Sequence, residues 1–371
     1  MIVAARGNRR CLARVMLAFV LAGVPFLFGC PPGDEPIQVV VEDQTNSNAS
    51  SPEEIRELAR REGEMSWYTS LPQDGAEEFL ALFEKEHPYI TTHLVRGSTF
   101  DTVQKVQSEI EAGDVQADVL HVLDVAVFTQ LRRKGALMQY SSPEERAIPT
   151  RYKDPGYWSA LRVVGLCIAY DSRRLDREDA PDTWPGLLED RWKGRVGLKD
   201  AQTAGSAYAH YYFLREEYGV SYWERMARQR PRIYKTSDET LDALEAGEVD
   251  LVSGAMGYSV YDRMRAGSTI RPLWPKDGVP MMLGPVAILR SAPHRNAARL
   301  FIDFALSQKG QKALQDILGG ESVRMDVEAP PERAQLSELK VMSPAGGWTE
   351  YADRQETLRS EYMGVFHPGS E

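Results

Sequence analysis

The sequence predicts an α/β fold of two similar lobes with a cleft between them. Strand-like segments alternate with helical segments between residues 51 and 135, and this alternation indicates a parallel sheet covered by helices. A second set of the same kind begins near Leu161. Once residues 1–29 are set aside, 342 of the 371 residues remain, and this length suits two domains of about 150 residues each.

The first set begins at Ser51, which can cap a helix that has Pro52 at its first position and Glu54 to complete a capping box. Its elements then follow in regular order. They are strands at 65–70, 90–95 and 117–122, each followed by a helix, and these helices end at His87, Gly113 and Gly135.

The second set repeats this order. It comprises strands at 162–170, 195–198 and 249–252, with a long helix from Gly205 and another at 241–246. After Trp274 and Pro275 come a strand at 286–289 and helices at 297–306 and 310–318. We therefore expect one lobe from residues 51–160 plus 275–371 and the other from residues 161–274, joined by crossing strands.

The first 29 residues have the features of a signal peptide. The apolar run Val15–Phe28 is 14 residues long, which is too short for a membrane-spanning helix. It ends in Leu-Phe-Gly-Cys, which resembles the lipobox of bacterial lipoprotein precursors, and this resemblance implies that Cys30 is lipidated. An ordinary secretory signal with a chance cysteine is the alternative. The basic region before the run holds Arg6, Arg9, Arg10 and Arg14, of which the adjacent pair also fits a twin-arginine signal.

Residues 30–50 are polar and rich in turn-forming residues, so we expect a flexible tether. The protein would then work in the periplasm or at the cell surface, with lipid as its only attachment to the membrane. Without residues 1–29, the 44 basic residues fall to 40 against 54 acidic ones, a net charge of −14. This acidic balance argues against a nucleic-acid partner.

No enzyme motif stands out in the sequence. H-E-x-x-H, G-x-S-x-G, C-x-x-C and the P-loop pattern are missing, and the six histidines fall at no metal-ligand spacing. Cys11 belongs to the signal peptide and Cys30 to the lipid site, so Cys167 is alone in an apolar strand. We interpret it as an inert, packed thiol.

The segment from 192 to 208 is a candidate anion site. A predicted strand runs into a loop of small residues that opens a helix, and the first N–H groups of a helix have no partners within it. Thr203 and Ser206 add hydroxyl groups, and Gly205 allows close approach. A plain helix cap is the alternative, and the local chemistry alone favours it.

A series of short segments in this chain matches a known family in order and spacing. These segments are 67–72, 117–119, 154–158, 169–171, 180–184, 192–194, 244–250, 298–304 and 307–311. With them, the chain resembles the extracellular solute-binding proteins of ABC importers, in their ferric-ion-type branch, over about residues 62–365. This resemblance implies a type II periplasmic-binding-protein-like fold that closes on a ligand between its lobes, without catalysis or a cofactor.

The resemblance also implies which loops contact the ligand. By position these residues are Ser70, Ser98, Thr99, Asp124, Thr203, Gly205, Ser206, Ala207 and Tyr258.

Ferric members hold iron through adjacent tyrosines, and the sequence departs from that pattern. Gly257 precedes Tyr258 where the first tyrosine is expected, which leaves Tyr258, Tyr261 and Asp124 as candidate metal ligands. Pro72 falls near the usual histidine, and Ala204 replaces a common serine. The ligand is therefore open: ferric iron, a chelated metal, or a phosphate-bearing or carboxylate-bearing solute.

These features favour a monomeric, lipid-anchored receptor that delivers a small ligand to the transmembrane subunits of an ABC permease. An exported enzyme on a related fold is one alternative, although no acid–base or nucleophile pair supports it. A receptor that signals without transport is the other.

Overall fold

The computed structural model describes residues 51–202 and 205–368, all within one compact unit. The tether, the signal peptide, Cys30 and Thr203 lie outside the described residues. The strands are β1 (Glu64–Thr69), β2 (Thr91–Arg96), β3 (Val119–His121), β4 (Lys153–Asp154), β5 (Trp158–Asp171), β6 (Val196–Lys199), β7 (Arg232–Tyr234), β8 (Leu251–Met256), β9 (Ile270–Leu273) and β10 (Met281–Ile288).

The helices surround these strands. They are α1 (Pro52–Glu62), α2 (Gln73–Glu86), α3 (Thr99–Ala112), α4 (Val125–Arg133), α5 (Gly205–Tyr218), α6 (Val220–Arg228), α7 (Ser237–Ala246), α8 (Gly257–Arg265), α9 (Arg295–Leu306), α10 (Gln308–Leu318), α11 (Gly347–Asp353) and α12 (Gln355–Phe366).

The strands form one continuous sheet whose two halves have the same topology. In the first half the order is β2-β1-β3, all parallel, followed by β10, which runs antiparallel to β3. In the second half the order is β7-β6-β8, all parallel, followed by β5, which runs antiparallel to β8. Strands β10 and β5 complete the two halves, and β5 pairs with strands of both.

Strand β5 is the main connection between the halves. Its first part pairs with β10, with Arg162 opposite Gly284, and its second part pairs with β8 and β9. All 14 of its residues are buried, which explains why its sequence is an almost unbroken apolar run. The α/β fold with crossing strands is confirmed, whereas the exact lobe boundaries stay a prediction.

Local signals place several helices where the sequence predicts them. Ser51 accepts a hydrogen bond from the Glu54 amide of α1 at 3.2 Å, and Gly63 ends that helix in the left-handed conformation with φ of 72°. Cys167 is fully buried, as expected, and burial raises the pKa of its thiol.

The C-terminal helices contact both halves. Helix α11 packs on α4 of the first half, and α12 packs on α5 and α6 of the second. Asp353 pairs with Arg133 through two oxygens at 2.5 and 2.6 Å, and the Tyr208 hydroxyl donates to the Tyr351 carbonyl at 2.8 Å. No helix among the described residues is long and apolar enough to span a bilayer.

Candidate functional site

The predicted ligand loops of the second half begin at helix α5. Ser206 and Ala207 are buried in its first turn, and Gly205 opens it. A Cβ atom placed on Gly205 would lie 4.0 Å from the Leu123 carbonyl oxygen and 3.9 Å from Met282 Cε. Leu123 follows β3 of the first half, so the two halves meet closely at this point.

The loops of the first half are less uniform. Ser70 follows β1 and its amide donates to the His121 carbonyl at 3.2 Å. Ser98 caps α3: its hydroxyl accepts from the Asp101 amide at 3.1 Å and donates to the Asp101 carboxylate at 2.7 Å. Thr99 is the first residue of α3. The hydroxyl of Ser98 therefore has a capping role, and its ligand role stays a prediction.

Asp124 is engaged by its own neighbours. Its carboxylate accepts a hydrogen bond from the Ala126 amide at 2.9 Å and so caps α4. Burial raises the pKa of the Asp124 carboxyl, whereas Ala126, Arg359 and Gln355 act in the opposite direction. The last two belong to α12, so the C-terminal helix reaches the loop where Asp124 lies.

The two candidate tyrosines have different partners. The Tyr261 hydroxyl accepts from Trp274 Nε1 at 3.3 Å and from the Ala334 amide at 3.2 Å. Tyr258 instead faces Arg162, whose guanidinium carbon lies 5.2 Å from the tyrosine ring centroid. Within the described parts of the chain, no group of three or more His, Cys, Asp or Glu residues could hold a metal ion. The metal-ligand predictions for Tyr258, Tyr261 and Asp124 thus remain untested.

Two buried arginines near Tyr258 were missed by sequence reasoning. We expect them to line the floor of the predicted cleft, and we call their surroundings the cleft floor. Arg162 of β5 is 8% exposed and Arg333 is 6% exposed. They meet at the Gly319–Gly320 pair. A Cβ atom on Gly319 would lie 3.3 Å from Arg333 Nη2 and 3.4 Å from Tyr258 Cβ, and one on Gly320 would lie 4.0 Å from Arg162 Cδ.

Both arginines have unused donors. Arg162 Nε and Arg333 Nε and Nη2 have no hydrogen-bond partner among the described residues, although Arg333 Nη1 donates to the Gly320 carbonyl at 3.3 Å. Burial lowers the pKa of the Arg162 guanidinium from its ordinary value, while Tyr258 and Glu321 act in the opposite direction. An arginine inside an apolar strand was the only sequence signal for this cluster.

Glu321 and His121 are the titratable neighbours of this arginine pair. Glu321 is buried, and burial raises the pKa of its carboxyl to about 7 despite the nearby guanidinium groups. His121 Nδ1 lies 2.9 Å from Thr69 Oγ1, whereas its Nε2 is buried with no partner in the described residues. Burial and the charge of Arg162 lower the pKa of His121 well below its ordinary value, so this histidine is neutral at pH 7.

Gly284 of β10 closes the floor beside this histidine. A Cβ atom there would lie 2.8 Å from His121 Nε2 and 3.6 Å from Arg162 Cγ. Only glycine lets the two crossing strands come this close to the polar groups of the cleft.

This geometry, with two sheet halves joined by crossing strands and polar loops meeting between them, is that of a two-lobed periplasmic binding protein. Residues 115–341 match the family model described as bacterial extracellular solute-binding protein, and the chain belongs to that family. Its relatives are binding proteins for transport and not enzymes.

Three known proteins illustrate the similarity. Iron uptake protein A1 of Synechocystis is 24% identical over 78% of this chain and 86% of the relative. A putative 2-aminoethylphosphonate-binding periplasmic protein of Salmonella typhimurium is 22% identical over 71% of this chain and 79% of the relative. The crystal structure of iron-bound HitA from Pseudomonas aeruginosa superposes with a TM-score of 0.70 at 20% identity, covering 81% of this chain and 99% of HitA.

Proposed function

We propose that this protein is a lipid-anchored receptor that captures a small anionic solute between its lobes and delivers it to the permease of an ABC importer. Membership of the solute-binding family supports the receptor role. The Leu27–Cys30 pattern supports the lipid anchor, and the predicted tether would let the folded part reach a permease in the same membrane.

The contact between Tyr258 and Arg162 is the observation that favours an anionic solute over a ferric ion. A ferric ion is a hard cation that needs several anionic oxygen ligands, and a phenolate of Tyr258 would be one of them. The guanidinium beside this tyrosine repels a cation and attracts an anion. The relative named for 2-aminoethylphosphonate is named for a solute with an anionic group.

Capture would occur by a shift between open and closed arrangements of the lobes. A solute that contacts both lobes stabilises the closed arrangement through interactions that the open one lacks. Gly205 and Leu123 lie close together across the two halves. The distance between them would therefore change when the lobes open or close.

Calorimetric titration and small-angle X-ray scattering test the proposal together. We expect 2-aminoethylphosphonate to bind more tightly than ferric citrate and to reduce the radius of gyration. Tyr258→Phe should weaken phosphonate binding by about 1 kcal/mol, the value of one hydrogen bond. Tight ferric binding that Tyr258→Phe abolishes would instead establish an iron receptor.

The anchor has its own test. Cys30→Ser should leave the protein uncleaved or move it to the soluble periplasmic fraction, as seen by fractionation and intact mass. A variant that is still processed and membrane-bound like the parent protein would rule out lipidation at Cys30.

A further inference from the structure

The arginine pair of the cleft floor, Arg162 and Arg333, places two guanidinium groups near one buried carboxyl, that of Glu321. Glu321 is a buried carboxyl that interacts electrostatically with both guanidinium groups. Asp262 of α8 also interacts electrostatically with Arg162. Arg162 also has a side-chain hydrogen bond to Tyr258, but its Nε and the Nε and Nη2 of Arg333 have no hydrogen-bond partner among the described residues. Burying a charge without a partner is unfavourable, so the arginine pair is a costly arrangement for a purely structural purpose.

Arg324 shows how this chain treats a buried arginine that is structural. It is also 8% exposed. Its guanidinium donates to Asp326 at 2.8 and 2.7 Å, to Glu144 at 2.6 Å and to the Leu306 carbonyl at 3.0 Å. Arg324 is thus fully paired, whereas the equally buried Arg162 and Arg333 keep free N–H groups. A water molecule could accept such a hydrogen bond, but it would not neutralise the charge.

We propose that Arg162 and Arg333 form a subsite that binds a phosphate or phosphonate group of the solute. This inference rests on the proposed function and adds the residues and the chemical class of the group they bind. Neither arginine is among the residues that the family resemblance assigns to the ligand.

Charge and donor geometry both favour a tetrahedral dianion over a single carboxylate. A phosphate monoester carries a charge of about −1.5 to −2 at pH 7 and offers three strong acceptor oxygens. Two guanidinium forks match this charge and can each bind such a group through two hydrogen bonds. The neutral His121, whose Nε2 is also unpaired, lies beside Arg162 and supplies a further polar contact.

The position of the arginine pair connects binding with closure. Arg162 lies on β5, which belongs to both halves, and Tyr258, which it contacts, begins α8 of the second half. Arg333 comes from the segment after α10, and its guanidinium carbon lies 5.5 Å from the ring centroid of Tyr261, also in α8. An anion held here would therefore contact a crossing strand and one lobe at the same time.

Thermal unfolding of the full chain in phosphate, acetate or chloride at equal ionic strength tests this subsite. The variants are Arg162→Met and Arg333→Met, with Arg324→Met as the equally buried control. Phosphate should raise the melting temperature of the parent protein and of Arg324→Met, and this rise should be lost in the two cleft variants. Calorimetry with 2-aminoethylphosphonate should show about 10- to 100-fold weaker binding in those two variants.

The chloride series separates a binding role from a structural one. Arg324→Met should melt at a lower temperature because two carboxylates lose their partner, whereas Arg162→Met and Arg333→Met should melt at or above the parent temperature. If either cleft variant does not fold, Arg162→Lys keeps the charge, loses the fork and should lose most of the phosphate effect.

Three outcomes would overturn the subsite. In the first, phosphate does not raise the melting temperature of the parent protein. In the second, Arg162→Met and Arg333→Met melt at a lower temperature than the parent protein but are still stabilised by phosphate. In the third, acetate raises the melting temperature as much as phosphate does. Failure of the receptor proposal looks different, because there the arginine-dependent phosphate effect would persist while 2-aminoethylphosphonate left the scattering curve unchanged.

Discussion

At the residue level, the buried charged and polar groups of this protein differ in whether their polar atoms have hydrogen-bond partners. Arg324 is enclosed by acceptors, and Asp124 caps α4 and interacts with Arg359 and Gln355 of α12. Arg162, Arg333 and His121 instead keep buried polar atoms without partners in the described residues. Other buried polar atoms of the described residues also lack partners, for example Trp67 Nε1 and Arg299 Nε. Arg162, Arg333 and His121 differ in that they lie close to one another and to Tyr258.

Glu321 gives the first residue-level prediction, which concerns pH. Its pKa is about 7 in the folded protein and near 4.5 otherwise, so between these values the folded state binds more protons than the unfolded state. The stability that this carboxyl contributes is therefore complete below pH 4.5 and is lost as pH rises through 7. Glu321→Gln should be more stable than the parent protein at pH 8 and similar at pH 5.

Urea unfolding of both proteins in chloride at pH 5, 6.5 and 8 measures this difference. The groups that act on Glu321 are Arg162 and Arg333 together with the Gly165 amide. A Glu321→Gln variant with the same pH profile as the parent protein would contradict the raised pKa.

At the element level, Asp124 separates a capping role from a ligand role. Asp124→Ala removes the α4 cap and should lower the free energy of unfolding by about 1 kcal/mol. Asp124→Asn keeps an N-cap oxygen and should stay close to the parent protein in urea unfolding. If Asp124 only caps α4, solute affinity should be unchanged in Asp124→Asn, whereas a complete loss of binding there would support the predicted ligand role of Asp124.

Elements with strong local signals were predictable, and several others were not. β1 was expected at 65–70 and is Glu64–Thr69, and the capped α1 begins where the sequence indicates, because apolar periodicity and caps are local signals. β7 and β9 have three and four residues, too few for a periodic pattern, and their positions are set by pairing with distant strands. The C-terminal α11 and α12 were also missed.

The candidate site was predictable only in part, for a similar reason. Gly205 could be selected because a loop of small residues before a helix is visible in the sequence. Arg333 could not, because its position depends on the left-handed turn at Gly319 with φ of 66°, which returns the chain towards Tyr258. Its segment carries no pattern that indicates a cleft.

At the level of the whole molecule, we expect closure to depend on the close approach of α5 to Leu123 of the first half. Gly205→Asp places a carboxylate near the Leu123 carbonyl oxygen and beside the predicted anion loop. An aspartate is compatible with a helix start, so folding should be preserved while solute binding and the decrease in radius of gyration are lost. Calorimetry and scattering on Gly205→Asp and the milder Gly205→Ala measure both effects.

Normal solute affinity and normal compaction in Gly205→Asp would mean that the start of α5 does not contact the solute. Loss of the native circular dichroism spectrum would instead indicate a structural role for this glycine.

The C-terminal helices have a consequence for the mechanics of the protein. The paired strands β5 and β10 form a two-stranded connection between the halves. Such a connection alone would allow the halves both to bend towards each other and to twist. The chain passes between the halves once more at Arg354, where α11 on the first half leads into α12 on the second. Because this connection lies beside α4 and α5 and outside the sheet, we expect it to resist twisting and to leave bending as the easier motion. The two halves would then reach the closed arrangement by bending about nearly a single axis.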